Sequence, residues 1–583
     1  MPLFGLGPGP RFRSYSALYR IGLLFLGSSA VLAFSFDALA ETYYVDAMDG
    51  RDTNNGLAEA TAWKTIAKVN ASTLEPGDQI LFKRGRVWRE VLRPGSSGTR
   101  SEPIVFGAYD TGDQPIISGA DLASGWECET TPPLLTQRKP STFFTTVGMP
   151  PNQVFQDGVR LTEAKAKDGV NPGGWYYDHG ALRLYLRTLL GDEPSRYTIE
   201  LSIRDRCVDI AGRTGLVLCD LKLQKARILG IHIRDSSHHV VVSRCCASGN
   251  YTAGIFVAGG TGVADHVTID HCTISDNAGS GILGGNRVDS LLISDCEVYG
   301  NSVSRDNEDY EAGVYIVSDP NEKYRPDNVV VQSCNVHDNG LGASGSRGYG
   351  IWLDTVGRNC EIRFNRCHDN RLSGINLEWA GALGNAKIIY NIAYNNGIGI
   401  MVYRRSHGTL IANNVMYWNE INLAIQGEDN GADPVGMHNN GVVNNIASSA
   451  KRLELRAVNG GENNGVTGKD NFFSHNSFGP QSRDFIEWGA GTYESTYVDW
   501  EKAYGSPTYS INADPMFSAA SQWLFTLQPV SPCLNTGVNL GLLRDYAGNP
   551  IPPIGESVDV GAFQHQRMGP PKEPQHEGSI RVP

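Results

Sequence analysis

Between residues 201 and 450 the chain repeats one loose scheme of apolar and polar positions. A short apolar strand ends in Cys or Asn, a turn closes on Asn, and Gly then opens a second apolar strand. The first halves read VVSRCCASGN at 241–250, VTIDHCTISDN at 267–277, LLISDCEVYGN at 291–301, VVVQSCNVHDN at 329–339, EIRFNRCHDN at 361–370, KIIYNIAYNN at 387–396 and LIANNVMYWN at 410–419. The second halves read AGIFVA, SGILGG, AGVYIV, YGIWLD, SGINLE and GIGIMVY. Their glycines, Gly254, Gly281, Gly313, Gly350, Gly374 and Gly399, stand 27, 32, 37, 24 and 25 residues apart. A period of this length, filled by strands of four to six residues, predicts one turn of a parallel β-helix. Leucine-rich repeats need a helical half and consensus leucines, and propeller blades need about 40 residues and antiparallel turns. Neither pattern is present. Alternation places Ile255/Val257, Val314/Ile316, Ile351/Leu353, Ile375/Leu377 and Ile400/Val402 inside the coil.

Two ladders support this phase. Cys245, Cys272, Cys296 and Cys334 share one repeat position, which Asn365, Asn391, Asn413 and Asn444 are expected to continue. Asn250, Asn277, Asn301, Asn339, Asn370 and Asn396 share a second, five residues later. Stacked strands lie about 4.8 Å apart, so inward Asn amides can bond along the stack. Cysteines a full coil apart read as small buried hydrophobes and not as a tight thiolate metal site. Of the 11 cysteines, Cys207 and Cys219 are the pair expected to join if any disulfide forms.

The flanks read as caps. The run from Trp63 to Val69 predicts a short amphipathic helix over the first coil, whose open end would otherwise expose core and strand edges. GWYYDHGALRLYL at 174–186 alternates like a hairpin within a small β insertion at 140–200. DPMF at 514–517, SPCLNTG at 531–537 and DVGAF at 559–563 are expected to close the far end. Residues 569–583 read as a disordered tail, and 41–568 as a single β-helix domain. The opening YYVDAMDGRDTNNG…AWKTI…PGDQILFKRG and the closing DPMF…SPCLNTG…DVGAF resemble secreted right-handed parallel β-helix proteins of the pectate-lyase-like superfamily. That resemblance implies the fold and a carbohydrate ligand. Its members include hydrolases, lyases, epimerases and non-catalytic adhesins.

Composition narrows the partner. With 62 acidic and 50 basic residues the formal charge is −12, which disfavours a nucleic-acid groove. Arg11, Arg13 and Arg20 precede an apolar run of 14 residues, Ile21 to Phe34, followed by Ala38-Leu39-Ala40. Those are the parts of a secretory signal, with cleavage expected after Ala40. The run is shorter than the roughly 20 residues that span a bilayer, so a secreted or periplasmic protein without a membrane anchor after processing is expected.

The chemistry is sought on the outward side of the second strands. Four residues after each glycine come Ala258, Gly285, Val317, Asp354, Glu378 and Tyr403, and two residues earlier Phe256, Leu283, Tyr315, Trp352, Asn376 and Met401. Asp354 and Glu378 therefore face one side on successive coils with carboxylates expected roughly 5–6 Å apart, against the ~5–5.5 Å that a retaining glycosidase needs between nucleophile and acid/base. Tyr315, Trp352, Asn376, Trp379 and Tyr403 are expected to contact sugar rings, with Arg404, Arg405 and His407 as donors. YGIWLDTVGRNCEIRFN at 349–365 and SGINLEWAG at 373–381 resemble the active strands of a β-helix β-xylosidase family of glycoside hydrolases. That resemblance implies Asp354 as nucleophile and Glu378 as acid/base. Thr355 stands where an aromatic is usual there, and the family's downstream His-Gly-Pro is missing after Trp379. The reading from the residues is a retaining glycoside hydrolase acting on a poly- or oligosaccharide, with no cofactor required. Two alternatives stand beside it. One is a polysaccharide lyase or uronan epimerase on an acidic glycan, with Lys323, Arg325, Arg404 or Arg405 available as base. The other is a non-catalytic carbohydrate-binding protein. Asp306, Glu308, Asp309 and Glu311 form an acidic loop dense enough in oxygen ligands to suit Ca²⁺, against the plainer reading of a solvated acidic loop.

Overall fold

The computed structural model describes residues 40–129, 141–303, 311–319, 324–341, 347–380, 385–427, 437–458 and 471–565. They form a right-handed parallel β-helix whose coils visit three sheets in turn. Sheet 1 has 13 strands, from Thr42–Val45 to Phe472–Ser474. Sheet 2 has 11, from Val87–Trp88 to Ile446–Ser448. Sheet 3 has 12, from Arg206–Ala211 to Ile486–Trp488, with the antiparallel strand Tyr493–Glu494 at its edge. The inward pairs Ile255/Val257, Val314/Ile316, Ile351/Leu353, Ile375/Leu377 and Ile400/Val402 are all buried in one continuous core.

The second ladder forms as expected. Each amide Nδ2 donates to the next Oδ1: Asn250 to Asn277 at 3.0 Å, Asn277 to Asn301 at 2.8 Å, Asn301 to Asn339 at 3.1 Å, Asn339 to Asn370 at 2.9 Å and Asn370 to Asn396 at 3.1 Å. Two further members, Asn419 and Asn422, extend it. The ladder explains the repeated glycine: a Cβ on Gly350 would lie 2.4 Å from the Gly374 carbonyl oxygen and 2.9 Å from Asn370 Nδ2.

The first ladder needs a correction. Beyond Asn365 and Asn391 it continues through Asn414, Asn445 and Asn476, at 3.0, 2.9 and 3.0 Å. Asn413 and Asn444 sit one residue earlier, at the corner between sheets 1 and 2, with φ of 54° and 58°. Asn tolerates that left-handed conformation, so either member of an Asn-Asn pair suits the sequence pattern. The outward pair binds the C-terminal segment instead: Asn413 Nδ2 donates to the Asp559 and Gly561 carbonyls and Asn444 Nδ2 to the Val538 carbonyl. The expected closing segments therefore lie along the flank of the stack. Trp523 stacks on Tyr394 with ring centroids 4.5 Å apart.

The cysteine column is buried, as expected, and every thiol is free. The Cys207–Cys219 pairing is overturned. Cys207 points into the core of sheet 3 and donates to the Gln224 carbonyl, whereas Cys219 ends a sheet 1 strand on its outward side.

Helix α1, Ile66–Ala71, is capped by Thr65, whose side chain accepts from the Lys68 N–H, and buries Ile66 and Val69. A second helix, α2, Tyr497–Tyr504, has Thr496 as N-cap and Gly505 as left-handed C-cap. It seats Trp500 among Phe473, Phe478 and Trp488 at the last coils. Two small sheets of four and five strands emerge between Ala120 and Ser202, around Trp175, Tyr177, Leu184 and Leu186. Among the described residues no helix is long and apolar enough to cross a membrane.

Candidate active site

Four strands of sheet 3 position the site: β1 (Glu311–Val317), β2 (Arg347–Asp354), β3 (Ser373–Glu378) and β4 (Ile398–Tyr403). Parallel pairing aligns Val317, Asp354, Glu378 and Tyr403 in one row, and Tyr315, Trp352, Asn376 and Met401 in the next. Both rows lie opposite the buried Ile/Leu pairs, as alternation requires. At the corner that follows, Thr355, Trp379 and Arg404 adopt φ of 54°, 49° and 38°.

The two carboxyls have different surroundings. Asp354 is half-buried; its Oδ1 accepts from the Thr355 hydroxyl at 2.8 Å and its Oδ2 from the Tyr315 hydroxyl at 3.3 Å. Burial raises its pKa, while those two hydrogen bonds and the charge of Arg404 pull it back. Glu378 is only 5% exposed, and its Oε1 lies 3.0 Å from Arg404 Nη1. Burial first, then the negative charge of Asp354, push Glu378 up to about 7 against the opposing pull of Arg404 and Trp379. The single guanidinium is outweighed because it is itself partly solvated. Both carboxyls are thus raised by burial, Glu378 to about 7, while the Thr355 and Tyr315 hydroxyls favour the ionised form of Asp354.

The other expected site residues divide into three groups. Trp352 is 2% exposed and packed between Tyr315 and Tyr349, with centroids at 4.6 and 4.3 Å, so its ring faces are covered by aromatics. Asn376 is fully buried beneath the same layer, and neither its Oδ1 nor its Nδ2 has a hydrogen-bond partner. Trp379, Tyr403, Arg404 and Arg405 form a half-buried rim. There Arg404 lies over the Tyr403 ring at 5.0 Å and Arg405 over Trp379 at 4.9 Å. His407 lies further along the turn, stacked on His438 at 3.9 Å.

Tyr349 and His438 are additions to the site that the sequence reading missed. Strict alternation groups Tyr349 with inward Ile351, and the pairing between β1 and β2 is irregular at Glu311–Ala312. His438 becomes a neighbour only through stacking of the following coil.

Of the acidic loop, Asp306, Glu308 and Asp309 lie outside the described residues. Glu311 is buried opposite Arg347, with Oε2 and Nε 4.0 Å apart, so among the described residues a guanidinium stands beside it. The Asp354/Glu378 pair likewise has Arg404 as its cation and does not fit a divalent metal centre, which would gather further oxygen ligands. A different group, Asp270, His271 and Asp295 on sheet 1, brings its donor atoms within 4.8 Å of one another and could hold a metal ion such as Ca²⁺. It is largely exposed, and His271 Nδ1 is already 2.7 Å from Asp270 Oδ2.

Known proteins agree with this architecture. The right handed beta helix region family matches residues 207–416. The fold resembles that of the pectate-lyase-like, carbohydrate-active β-helices. The complex of XylC with xylose has a TM-score of 0.57 at 13% identity, over 90% of this chain and 98% of that one. At that identity the likeness is one of fold. Pectate lyase Pel9A gives a TM-score of 0.47 at 15% identity, over 90% of this chain and 96% of that one. The uncharacterized protein YwoF of Bacillus subtilis (strain 168) is 30% identical over 201 residues, 31% of this chain and 40% of YwoF. The chain thus spans less than half the length of the curated relative it matches.

Proposed function

We propose that the chain is a glycoside hydrolase that cleaves a poly- or oligosaccharide with retention of configuration, Asp354 acting as nucleophile and Glu378 as general acid and base. The observation that carries this reading is the direct register of a buried and a half-buried carboxyl, both raised by burial, with hydroxyl donors on Asp354. Direct pairing on adjacent strands, which lie about 4.8 Å apart, supports the short separation of about 5–5.5 Å that retaining enzymes use. Glu378, pushed up to about 7, retains a proton for the leaving oxygen. Asp354, held by the Thr355 and Tyr315 hydroxyls, is the group kept ionised for attack on the anomeric carbon. Once the leaving group departs, Glu378 has lost its proton and can take one from the water that releases the glycosyl-enzyme. Arg404 steadies the carboxylate Glu378 becomes in that half-reaction.

The shared fold with a xylose-bound β-helix supports a sugar ligand. Of the bases a lyase could use, Arg404 is ion-paired with Glu378, and Lys323 lies outside the described residues. Export follows the same proposal. Cleavage after Ala40 would free the Glu41 amino group 2.8 Å from Asp78 Oδ1, where it gains a carboxylate partner.

Assay of a panel of aryl glycosides and glycans for new reducing ends, beside absorbance of an unsaturated uronate, tests the class. Reducing ends without the unsaturated product are expected. An unsaturated product would make the protein a lyase, and saccharide binding without turnover would make it a lectin-like protein.

A further inference from the structure

Four coils, the last of them the one that carries Asp354, build a second concave site at the turns leaving sheet 3. It has a volume of about 300 Å³ and is lined by Arg287, Asp289, Tyr324, Arg325, Asp327 and Arg358. Arg358 is only four residues beyond Asp354, so chain geometry keeps their Cα atoms within about 14 Å. Among the described lining residues three arginines stand against two aspartates, in a protein whose overall charge is −12.

The aspartates are anchored to the turns. Asp289 Oδ1 accepts from Asn328 Nδ2 at 2.7 Å and from the Ser290 hydroxyl at 3.1 Å, and Asp327 Oδ1 accepts from the Arg358 backbone N–H at 2.6 Å. Arg358 is exposed, and its guanidinium makes no ion pair among the described residues. Tyr324 is 49% exposed and has the Arg287 guanidinium 5.6 Å from its ring centroid. A half-exposed aromatic ring, fixed hydroxyl acceptors and guanidinium groups lining one pocket are the complement of one sugar ring bearing an anionic group.

We infer that this pocket binds an acidic sugar unit, carboxylated or sulfated, of the glycan cleaved at Asp354 and Glu378. Its membership of the cleavage site rests on the hydrolase reading; its preference for charged over neutral sugar does not. Arg325 and Arg358 would grip the anion, Tyr324 would stack on the ring, and Asp289 and Asp327 would accept from ring hydroxyls.

Calorimetry on the full chain provides the test, with methyl glucuronide, glucose 6-sulfate, methyl glucoside and inorganic sulfate as separate probes. At least one charged sugar is expected to bind tenfold or more tightly than methyl glucoside and than inorganic sulfate. Which of the two does so distinguishes a carboxylate from a sulfate ligand. Arg358→Ala and Arg325→Ala should each erase that preference, with Arg358→Lys restoring part of it and unfolding midpoints unchanged for the exposed Arg358 variants. Equal affinity for charged and neutral sugar, or for inorganic sulfate alone, would overturn the inference, as would an unaltered preference in both alanine variants. Asp354→Asn separates the two proposals. It should keep the charge preference while losing turnover, so a charge preference in a protein without hydrolase activity would retire the hydrolase reading alone.

Discussion

Asp354 and Glu378 are direct partners across β2 and β3, and the pairing continues one step beyond them, where the Thr355 N–H donates to the Glu378 carbonyl at 2.9 Å. Two carboxyls in adjacent register on a mostly covered face repel when both are ionised, so the arrangement costs stability that a solenoid built for structure alone would avoid. That cost is informative because the neighbouring rows of sheet 3 are otherwise largely apolar or aromatic.

The pH profile should follow from the two environments. Since Glu378 must be protonated to act as acid, kcat/KM should fall as pH rises through about 7. The acid limb belongs to Asp354 and should lie above the ordinary aspartate value. Arg404→Ala removes a group that lowers the Glu378 pKa and should move the alkaline limb upward; a limb that stays put or moves down would disconnect it from Glu378. Initial rates on one aryl glycoside between pH 3 and 9 would read both limbs.

Folding stability should also depend on pH. Glu378 and Glu454 are both raised to about 7 in the folded protein, chiefly by burial. The folded state therefore binds protons that the unfolded chain releases near its ordinary value of about 4.3. Stability from these groups is present below that value and declines as pH rises to about 7, by on the order of 1 kcal/mol per unit for each group. Denaturant midpoints from pH 4.5 to 7.5 should show the decline, and Glu454→Gln should make it shallower.

Asn376 allows a test of stability against function. Its amide is buried without a partner, at a cost of about 1–3 kcal/mol. Asn376→Leu should raise the unfolding midpoint by removing that cost and lower kcat/KM if the amide is reserved for substrate hydroxyls. Unchanged turnover in a stabilised variant would assign Asn376 no role in binding.

The ladders make a contrasting pair of structural tests. Asn370→Ala removes the shared acceptor of the Asn339 backbone and side-chain N–H groups and the donor to Asn396 and the Val336 carbonyl inside the coil, and should cost about 3 kcal/mol. Asn413→Ala loses the bonds to the Asp559 and Gly561 carbonyls and the acceptor for Asn444 Nδ2, which keeps the Val538 carbonyl. It should affect global stability less while making the C-terminal segment easier to cleave by protease, which limited proteolysis would show.

The coil period, the inward pairs and the Asp354/Glu378 row could be read from the chain because alternation and the glycine spacing encode them locally. Asn414 and Asn445 could not be told from Asn413 and Asn444, since each pair offers two residues suited to the corner and the choice is made by a segment about a hundred residues away. Helix α2 was missed although Thr496, Asp499 and Gly505 carry its capping signals. The covering of Trp352 by Tyr315 and Tyr349 depends on three side chains from two coils, which periodicity does not report.

The most direct measurement is proton NMR of the first-formed anomer, on the aryl glycoside turned over fastest, starting the panel with a xyloside and run beside Asp354→Ala. The account predicts net retention, with turnover reduced on the order of 10³-fold or more in the variant. Net inversion, or undiminished turnover by Asp354→Ala, would contradict it.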